Sequence, residues 1–337
     1  MTDATGAAAR TAVADRRASL ARTAQPWASQ IGITTAFVLL WVTFIVLAPA
    51  TFLGERIYLS FAQTTPYFAL VALTLTMVII SGDIDLSFPS IMALGMVGFV
   101  SLWEATGSVE LAVVVAVLVG LLAGLFNGLV VTLVGIPSLV VTIGTQFLFR
   151  GLTLVLVGGR SFALIDTKDS AIYDVLVGRL FGIPMQFWWL VLAAIGTWLL
   201  LNRHRLGQNT YAIGANRHAA ELMGTPIRRT RIILFTLTGG MAAFAGLLNS
   251  FAIVNFYPTM GAGYLLPTLA AVFVGGTSVF GGRGSVWGTF IGAFMIGGIT
   301  AGIVAVGLTD YYTNLIYGAV ILISVSIHAV LQRRFET

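Results

Sequence analysis

Residues 73–100 read LTLTMVIISGDIDLSFPSIMALGMVGFV, in which Asp83 and Asp85 separate two long apolar runs. A charged side chain at the centre of a bilayer costs at least about 2.5–3.5 kcal/mol. The apolar runs are therefore candidate membrane spans. The acidic stretch between them marks either a boundary with water or a working site.

The rest of the chain has the same apolar character. Of its 337 residues, 58% are hydrophobic and 9% are charged, whereas soluble domains carry about 25% charged residues. So little charge cannot cover the surface of a soluble protein of this length. The composition predicts an all-α, polytopic membrane protein in a lipid bilayer.

Ten apolar runs have about the length of a spanning helix, which needs roughly 20 residues. The third and the eighth are short, which indicates broken or tilted helices. We predict spans at roughly 31–53, 61–80, 88–104, 111–134, 138–157, 186–202, 232–252, 265–280, 286–306 and 312–331.

Basic residues set the predicted orientation of these spans. With the N-terminus inside, thirteen arginines fall on the inner side and four basic residues on the outer side. The positive-inside rule then places both termini in the cytoplasm. Residues 1–25 are a predicted disordered cytoplasmic tail, residues 26–337 the membrane domain, and residues 203–231 its cytoplasmic loop. Because the arginines lie in short gaps between spans, nucleic-acid binding is not expected.

Asp83 and Asp85 lie at the cytoplasmic end of the second predicted span, where two compatible interpretations apply. Asp85 or Ser87 is a candidate cap for the third helix, with Pro89 in its first turn. Alternatively, Asp83 lines a pathway for a polar solute at the inner gate.

Metal sites and ATP hydrolysis are not expected on this chain. It has no Cys, and its three His are not spaced as a pair of metal ligands. A phosphate-binding P-loop needs Gly-Lys-Ser or Gly-Lys-Thr. The only Lys is Lys168, which stands between Thr167 and Asp169. We therefore predict no cofactor here and ATP hydrolysis on a separate chain.

The loop sequence RLGQNTYAIGANRHAAELMGTPIRRTR, residues 205–231, contains the signals of a short helix. Asn216 is a good N-cap, Gly224 suits the position after the helix, and Pro226 prevents its continuation. Two helical turns are not stable alone in water. The helix must therefore pack on its own protein, on lipid or on a cytoplasmic partner.

This loop resembles the coupling loop of permease subunits of ABC importers for ribose and related monosaccharides. Three more stretches, in the same order as in that family, add to the resemblance. They are SGDIDLSFPSIMALG (81–95), GLFNGLVVTLVGIPSLVVTIGTQFLFRGL (124–152) and TLAAVFVGGTSVFGGRGSVWGTFIGA (268–293). In the first stretch, Asp83 stands where the family has Gly, and Phe88–Pro89 replaces Val–Gly.

The resemblance implies a vitamin-B12-importer-like (type II) permease fold in the bacterial inner membrane. It also implies a second permease subunit, identical or paralogous, and ATPase subunits that bind ATP and Mg at the cytoplasmic face. A periplasmic or lipid-anchored binding protein would deliver the sugar. The loop positions that match the coupling pattern are Arg205, Gly207, Tyr211, Gly214, Asn216, Ala219, Ala220, Glu221 and Gly224.

Polar and aromatic residues in or beside the spans are candidates for the translocation path, because polar groups in a membrane are functional by default. The alternative for each polar one is hydrogen bonding between helices, worth about 0.6 kcal/mol on average. Gly120, Gly124 and Gly128 form a small-residue ridge that predicts close helix packing. The path candidates are Asp83, Asp85, Asn127, Thr142, Thr145, Gln146, Arg150, Asn249, Phe251 and Asn255.

Two other functions remain open from the sequence. A proton-coupled secondary transporter would use Asp83 and Asp85 as its relay, although both lie at the end of a span. A membrane enzyme would need a cluster of acids or His on one side of the membrane, which the sequence does not display.

Overall fold

The computed structural model describes residues 30–305 and 311–336, most of which are α-helical. In these ranges, seven helices are long and apolar enough to cross a membrane. The number of candidate spans rises to eight if the bent pair Glu55–Thr64 and Pro66–Ile80, with an angle of 51° between the two helices, counts as one span. The all-α polytopic fold is confirmed, but the count of ten spans is not. The predicted tail, residues 1–25, lies outside the described residues.

The helices are numbered here in chain order. They are α1 (Gln30–Leu47), α2 (Pro49–Phe52), α3 (Glu55–Thr64), α4 (Pro66–Ile80), α5 (Phe88–Thr106), α6 (Val109–Leu129), α7 (Ser138–Val157), α8 (Ala171–Val177), α9 (Met185–Asn202), α10 (Arg205–Ala215), α11 (Arg217–Leu222), α12 (Ile227–Ile253), α13 (Leu265–Val274), α14 (Val286–Ala305) and α15 (Tyr311–Glu336). A π-helical turn, Val130–Val134, extends α6.

Two 3-10 helical turns, Ile165–Asp169 and Ala262–Tyr264, and two pairs of very short strands complete the secondary structure of the described residues. Strand β1 (Phe162–Ala163) pairs antiparallel with β4 (Asn255–Phe256). Strand β2 (Arg179–Leu180) pairs with β3 (Ile183–Pro184). The first pair ties the segment after α7 to the segment after α12.

Helix α4 forms the centre of the bundle, and all fifteen of its residues are buried. Its sequence is apolar on every side, as expected for a helix surrounded by protein. Helices α9, α12, α13 and α14 pack around it. Its two threonines bond carbonyls of the same helix, Thr74 that of Val71 and Thr76 that of Ala72. The Thr76 hydroxyl also bonds the Thr289 hydroxyl of α14.

The glycine ridge of α6 packs against α12, as predicted. A Cβ atom placed on Gly124 would lie 2.3 Å from the Phe235 carbonyl oxygen. One placed on Gly120 would lie 2.5 Å from the carbonyl oxygen of Gly239. Any larger residue would push the two helices apart.

Two predicted spans are interrupted in the structure. The second is broken at Pro66, whose ring and missing N–H disrupt a continuous helix; the bend there is the 51° angle between α3 and α4. The eighth ends at Val274, where Gly275 and Gly276 follow and Gly276 takes a φ of +82°.

Candidate functional site

The acidic segment, defined here as Ser81–Ser87, connects α4 to α5 and is largely buried. The guanidinium of Arg231, near the start of α12, donates two hydrogen bonds to the Asp83 carboxylate, both 2.5 Å long. Asp83 is 5% exposed and Arg231 is 6% exposed. Because a buried charge is tolerated only when it is paired, each residue makes the other's burial possible.

Asp85 belongs to a second buried cluster in the same segment. Its Oδ1 accepts hydrogen bonds from the Ser87 backbone N–H (2.8 Å) and the Ser87 hydroxyl (2.6 Å). The side-chain amide of Asn127 donates to the Ser87 hydroxyl oxygen at 2.7 Å. Asp85 Oδ2 and Asn127 Oδ1 have no hydrogen-bond partner among the described residues.

The start of α5 agrees only in part with the predicted cap. Ser87 is the N-cap residue and Pro89 lies in the first turn, as expected. Neither Ser87 nor Asp85 makes a side-chain capping bond to the helix, however. The Asp85 carboxylate instead bonds Ser87 itself, which forms a local turn in place of a cap.

One face of α7 holds the acidic segment and the start of α5 through residues spaced four apart. Ser138 accepts a hydrogen bond from the Ile84 N–H (3.1 Å), and Thr142 donates to the Ile84 carbonyl (3.2 Å). The Gln146 carbonyl accepts from the Ser90 hydroxyl at 2.7 Å. We call Ser138, Thr142, Gln146 and Arg150 the α7 ladder.

Arg150 completes the ladder by joining three backbone carbonyls. Its guanidinium donates to the carbonyl of Pro89 (3.2 Å), to that of Met260 (3.0 Å) and to that of Pro258. Thr145 is also buried, and its hydroxyl bonds the Thr142 carbonyl. Ser138, Thr142 and Arg150 therefore bond backbone groups, whereas Gln146 contributes its own backbone carbonyl.

The cytoplasmic loop of the sequence contains two helices, α10 and α11. The short helix predicted there is confirmed as α11. The Asn216 side chain accepts a hydrogen bond from the Ala219 N–H at 3.0 Å. Gly224 takes a φ of +75° just after the helix end, a conformation that favours glycine. Helix α10 was not predicted.

The backbone of helix α10 lies in direct contact with the backbone of the bundle core. A Cβ atom on Gly214 would lie 1.7 Å from the Ile80 carbonyl oxygen, at the end of α4. That carbonyl also accepts a hydrogen bond from the Gly282 N–H at 2.8 Å. Gly207 is buried against the last turn of α9 in the same way, because a Cβ atom added there would lie 1.9 Å from the Leu201 carbonyl oxygen.

Tyr211 adds a hydrogen bond to this contact between α10 and the core. Its hydroxyl donates to the Gly284 carbonyl at 2.8 Å. Burial raises the pKa of Tyr211, so the phenol stays protonated and available as a donor. Helix α10 is thus fixed both to the end of α4 and to the glycine-rich segment before α14.

Helix α11 combines a buried anchor with an exposed apolar tip. Ala220 is fully buried and packs near Ile213 and Ile227. Ala219 is half-buried, whereas Arg205, Asn216, Glu221 and Gly224 are exposed. Leu222 and Met223 are 77% and 73% exposed, although they are large and apolar and outside the predicted spans. We call Leu222 and Met223 the apolar tip; sequence reasoning did not single them out as a site.

The remaining candidates lie near the C-terminal end of α12 and face in different directions. Asn249 is 4% exposed, and its amide donates to the Tyr264 hydroxyl. Phe251 is buried against Phe99, with ring centroids 5.3 Å apart. Asn255 pairs with Ala163 in the β1–β4 ladder.

Of these three, Asn249 alone borders a large cavity. The cavity has a volume of about 950 Å³ and lies between α3, α4, α12, α13, α14 and α15. Tyr67, Tyr264 and Tyr317 also line it. Sequence reasoning did not single out these tyrosines, because Tyr67 and Tyr317 fall inside predicted apolar spans and Tyr264 lies just before one.

A polytopic helical bundle with a backbone-fixed pair of short helices beside its core has the architecture of a transport subunit. Comparison with known proteins identifies the family. The family model for the permease component of branched-chain amino acid transport systems matches residues 57–325. The chain belongs to this family and is a membrane permease.

Individual relatives agree with this assignment. The chain is 30% identical to the ribose import permease protein RbsC of Escherichia coli (strain K12), over 83% of this chain and 87% of the relative. It is 37% identical to RbsC of Bacillus subtilis (strain 168), over 76% and 79%. It is 31% identical to the autoinducer 2 import system permease protein LsrD of Salmonella typhi, over 77% and 80%. No solved structure matches the chain.

Proposed function

We propose that this chain is the membrane-spanning permease subunit of an importer for a monosaccharide or sugar alcohol. ATP, with Mg, is hydrolysed on a separate ATP-binding subunit at the cytoplasmic face. The relatives support the sugar assignment, since two of those compared above are ribose import permeases. The importer lies in the bacterial inner membrane, with both termini of this chain in the cytoplasm.

The apolar tip of α11 is the observation that carries the proposal. Large apolar side chains on an exposed helix end are typical of a surface that another protein covers. Leu222 and Met223 insert into a groove of the ATP-binding subunit. The basic residues around them, which include Arg217, Arg228 and Arg229, support a cytoplasmic position for this surface.

The contacts of α10 supply a route from that surface to the membrane core. A displacement of α11 passes to α10, and the close contact of Gly214 with Ile80 passes it to the end of α4. The acidic segment begins at the next residue. The predicted coupling residues therefore divide into those that form the docking surface, such as Glu221, and those that fix α10, such as Gly207, Tyr211 and Gly214.

The complete importer also contains a second permease subunit, either another copy of this chain or a paralogue. A periplasmic or lipid-anchored binding protein delivers the sugar. Asp83, Asp85, Asn127, Thr142, Thr145, Gln146 and Arg150 shape the inner part of the path, and Asn249, Phe251 and Asn255 shape its outer part.

Reconstituted transport tests this function. Proteoliposomes containing this chain, its ATP-binding subunit and its binding protein are expected to take up a sugar only when ATP is present. The double variant Leu222→Glu, Met223→Glu should insert normally, because both positions are exposed. It should lose uptake at least tenfold, since charge in an apolar groove opposes docking.

The exposed Gln208 of α10 provides the matched control. The variant Gln208→Glu adds charge on the same helical pair away from the apolar tip, and it should retain uptake. Uptake by this chain alone, driven by a proton gradient without ATP, would contradict the proposal and favour a secondary transporter that uses Asp83 and Asp85.

A further inference from the structure

The cavity beside Asn249 differs from the acidic segment in the charge of its polar groups. More than half of its lining residues carry a hydroxyl, phenol or amide group, and none of the described lining residues is charged. Its volume of about 950 Å³ falls at the upper end of the roughly 300–1,000 Å³ of small-molecule sites. The cavity therefore combines apolar surface with several hydrogen-bonding groups, and such groups are costly to leave facing acyl chains.

Asn249 and Tyr264 form the hydrogen-bonding part of the cavity wall. The Asn249 amide nitrogen donates to the Tyr264 hydroxyl oxygen, which leaves the tyrosine proton free to be donated. The amide oxygen of Asn249 accepts no hydrogen bond from any described residue. The hydroxyl of Thr313 is buried without a partner in the described part of the chain.

Aromatic rings supply the flat apolar surfaces of the same cavity. The ring centroids of Tyr67 and Tyr264 are 6.3 Å apart and tilted by 55°. Tyr317, on α15, lines the same cavity and is buried, and its hydroxyl is hydrogen-bonded to that of Thr300. A sugar ring presents hydroxyls at its rim and C–H groups on its faces, and this combination of amide, phenol and ring surface matches both.

The absence of charge among the described lining residues separates two classes of solute. An amino acid carries an ammonium and a carboxylate, and each needs an opposite charge or several oriented dipoles when it leaves water. A neutral polyol needs only hydrogen-bonding groups and apolar faces. The lining therefore suits the polyol, although the family model is described by branched-chain amino acid transport.

We propose that this cavity, within a single subunit, binds an uncharged monosaccharide or sugar alcohol during import. Asn249 and Tyr264 hydrogen-bond its hydroxyls, and Tyr67 and Tyr317 cover its faces. The proposal rests on the proposed function above and adds the site and the neutral character of the solute.

The chain contains no Cys, so single cysteines can report on the cavity in the otherwise native complex. Ser60→Cys places a thiol in the cavity wall. A membrane-impermeant methanethiosulfonate reagent, added outside proteoliposomes of the whole importer, should label it. The probes are D-ribose, D-xylose, D-glucose, myo-inositol and L-leucine. At least one neutral probe should slow labelling severalfold, and L-leucine should not.

Two controls isolate binding from folding. Thr106→Cys, at the exposed end of α5, should be labelled at the same rate with or without sugar. Adding Tyr264→Phe to Ser60→Cys keeps the ring and removes the hydroxyl. Protection should then need roughly threefold to tenfold more sugar, as expected for one lost hydrogen bond. Asn249→Leu should produce a similar or larger shift.

Failure of this proposal is distinct from failure of the proposed function. If the wild-type importer takes up a sugar but no neutral probe slows labelling of Ser60→Cys, the cavity is not the site and belongs to lipid or a neighbouring subunit. Absence of labelling also overturns the proposal, because the cavity is then closed to the outside. Stronger protection by L-leucine than by any sugar would indicate that the cavity binds an amino acid and would overturn the proposal. If the wild type takes up no sugar at all, the proposed function itself fails.

Discussion

The inner and outer polar regions of this bundle differ in what their side chains bind. In the inner region, Asp83 pairs with Arg231. Ser138 and Thr142 of the α7 ladder bond the backbone of Ile84, and the Gln146 carbonyl accepts a hydrogen bond from the Ser90 hydroxyl. In the outer region, Asn249 and the tyrosines border open space. Polar residues in this protein are thus of two kinds, those that hold backbone in an irregular shape and those, such as Asn249 and Tyr264, that border a cavity.

The inner arrangement follows from the cost of irregular backbone in a membrane. Residues 81–87 are not helical, so their N–H and C=O groups cannot all be satisfied within the segment. In a bilayer such groups need protein partners. Ser138 and Thr142 of α7 supply two of them to Ile84. The outer region is bordered mostly by regular helices. Its side chains therefore do not have to satisfy the N–H and C=O groups of irregular backbone.

The largest expected effect that tests this comparison comes from the buried ion pair. Asp83→Leu leaves the Arg231 charge buried without a partner and should destabilise the protein by about 3–5 kcal/mol. The measurement is the midpoint of thermal aggregation of the purified subunit in detergent. Asp83→Leu combined with Arg231→Leu should recover most of the loss. A single variant as stable as the wild type would contradict a structural role for the pair.

The close contact of α10 with α4 predicts a smaller effect. Gly214→Ala places a methyl group where the Ile80 carbonyl lies, so α10 must shift, at a cost of about 1–3 kcal/mol. ATP-dependent uptake should fall more than the amount of inserted protein. Gly196→Ala in α9 is the control, because no atom lies within 4 Å of its added Cβ. Equal uptake by the two variants would show that the contact between α10 and α4 does not couple ATP hydrolysis to transport.

The smallest effects compare the two regions directly. Thr142→Val removes the hydroxyl that bonds the carbonyls of Ser138 (2.8 Å) and Ile84 (3.2 Å) and should cost about 1 kcal/mol in stability. Ser60→Ala, in the cavity wall, should change stability by less than about 0.5 kcal/mol, because its side chain bonds no described residue. Thermal midpoints of the two variants provide the measurement. A Ser60→Ala variant as unstable as Thr142→Val would remove the distinction between the regions.

Local signals were sufficient to predict most of the bundle. Long apolar runs predicted the spans, and the Asn216, Gly224 and Pro226 signals predicted α11. These features depend on residues close together in the sequence. The four-residue spacing of Gln146 and Arg150 is a local signal of the same kind, because residues four apart lie on one face of a helix.

Long-range pairings were not predictable in this way. Arg231 stands 148 residues from Asp83, and in the sequence it is one of several arginines in a basic loop. Helix α10 was missed because Gly207, Asn209, Thr210 and Gly214 have low helix propensity. Close packing against α4 and α9 stabilises it instead. Tyr67 and Tyr264 resemble core residues until the fold shows that they border a cavity.

Cross-linking from the apolar tip tests the central claim most directly. In this cysteine-free chain, Met223→Cys can carry a benzophenone maleimide in the assembled importer. We predict a light-dependent product that contains this chain and the ATP-binding subunit, whereas Gln208→Cys gives little of it. Efficient labelling of Met223→Cys that yields only lipid adducts or no product with the ATP-binding subunit would contradict α11 as the coupling helix.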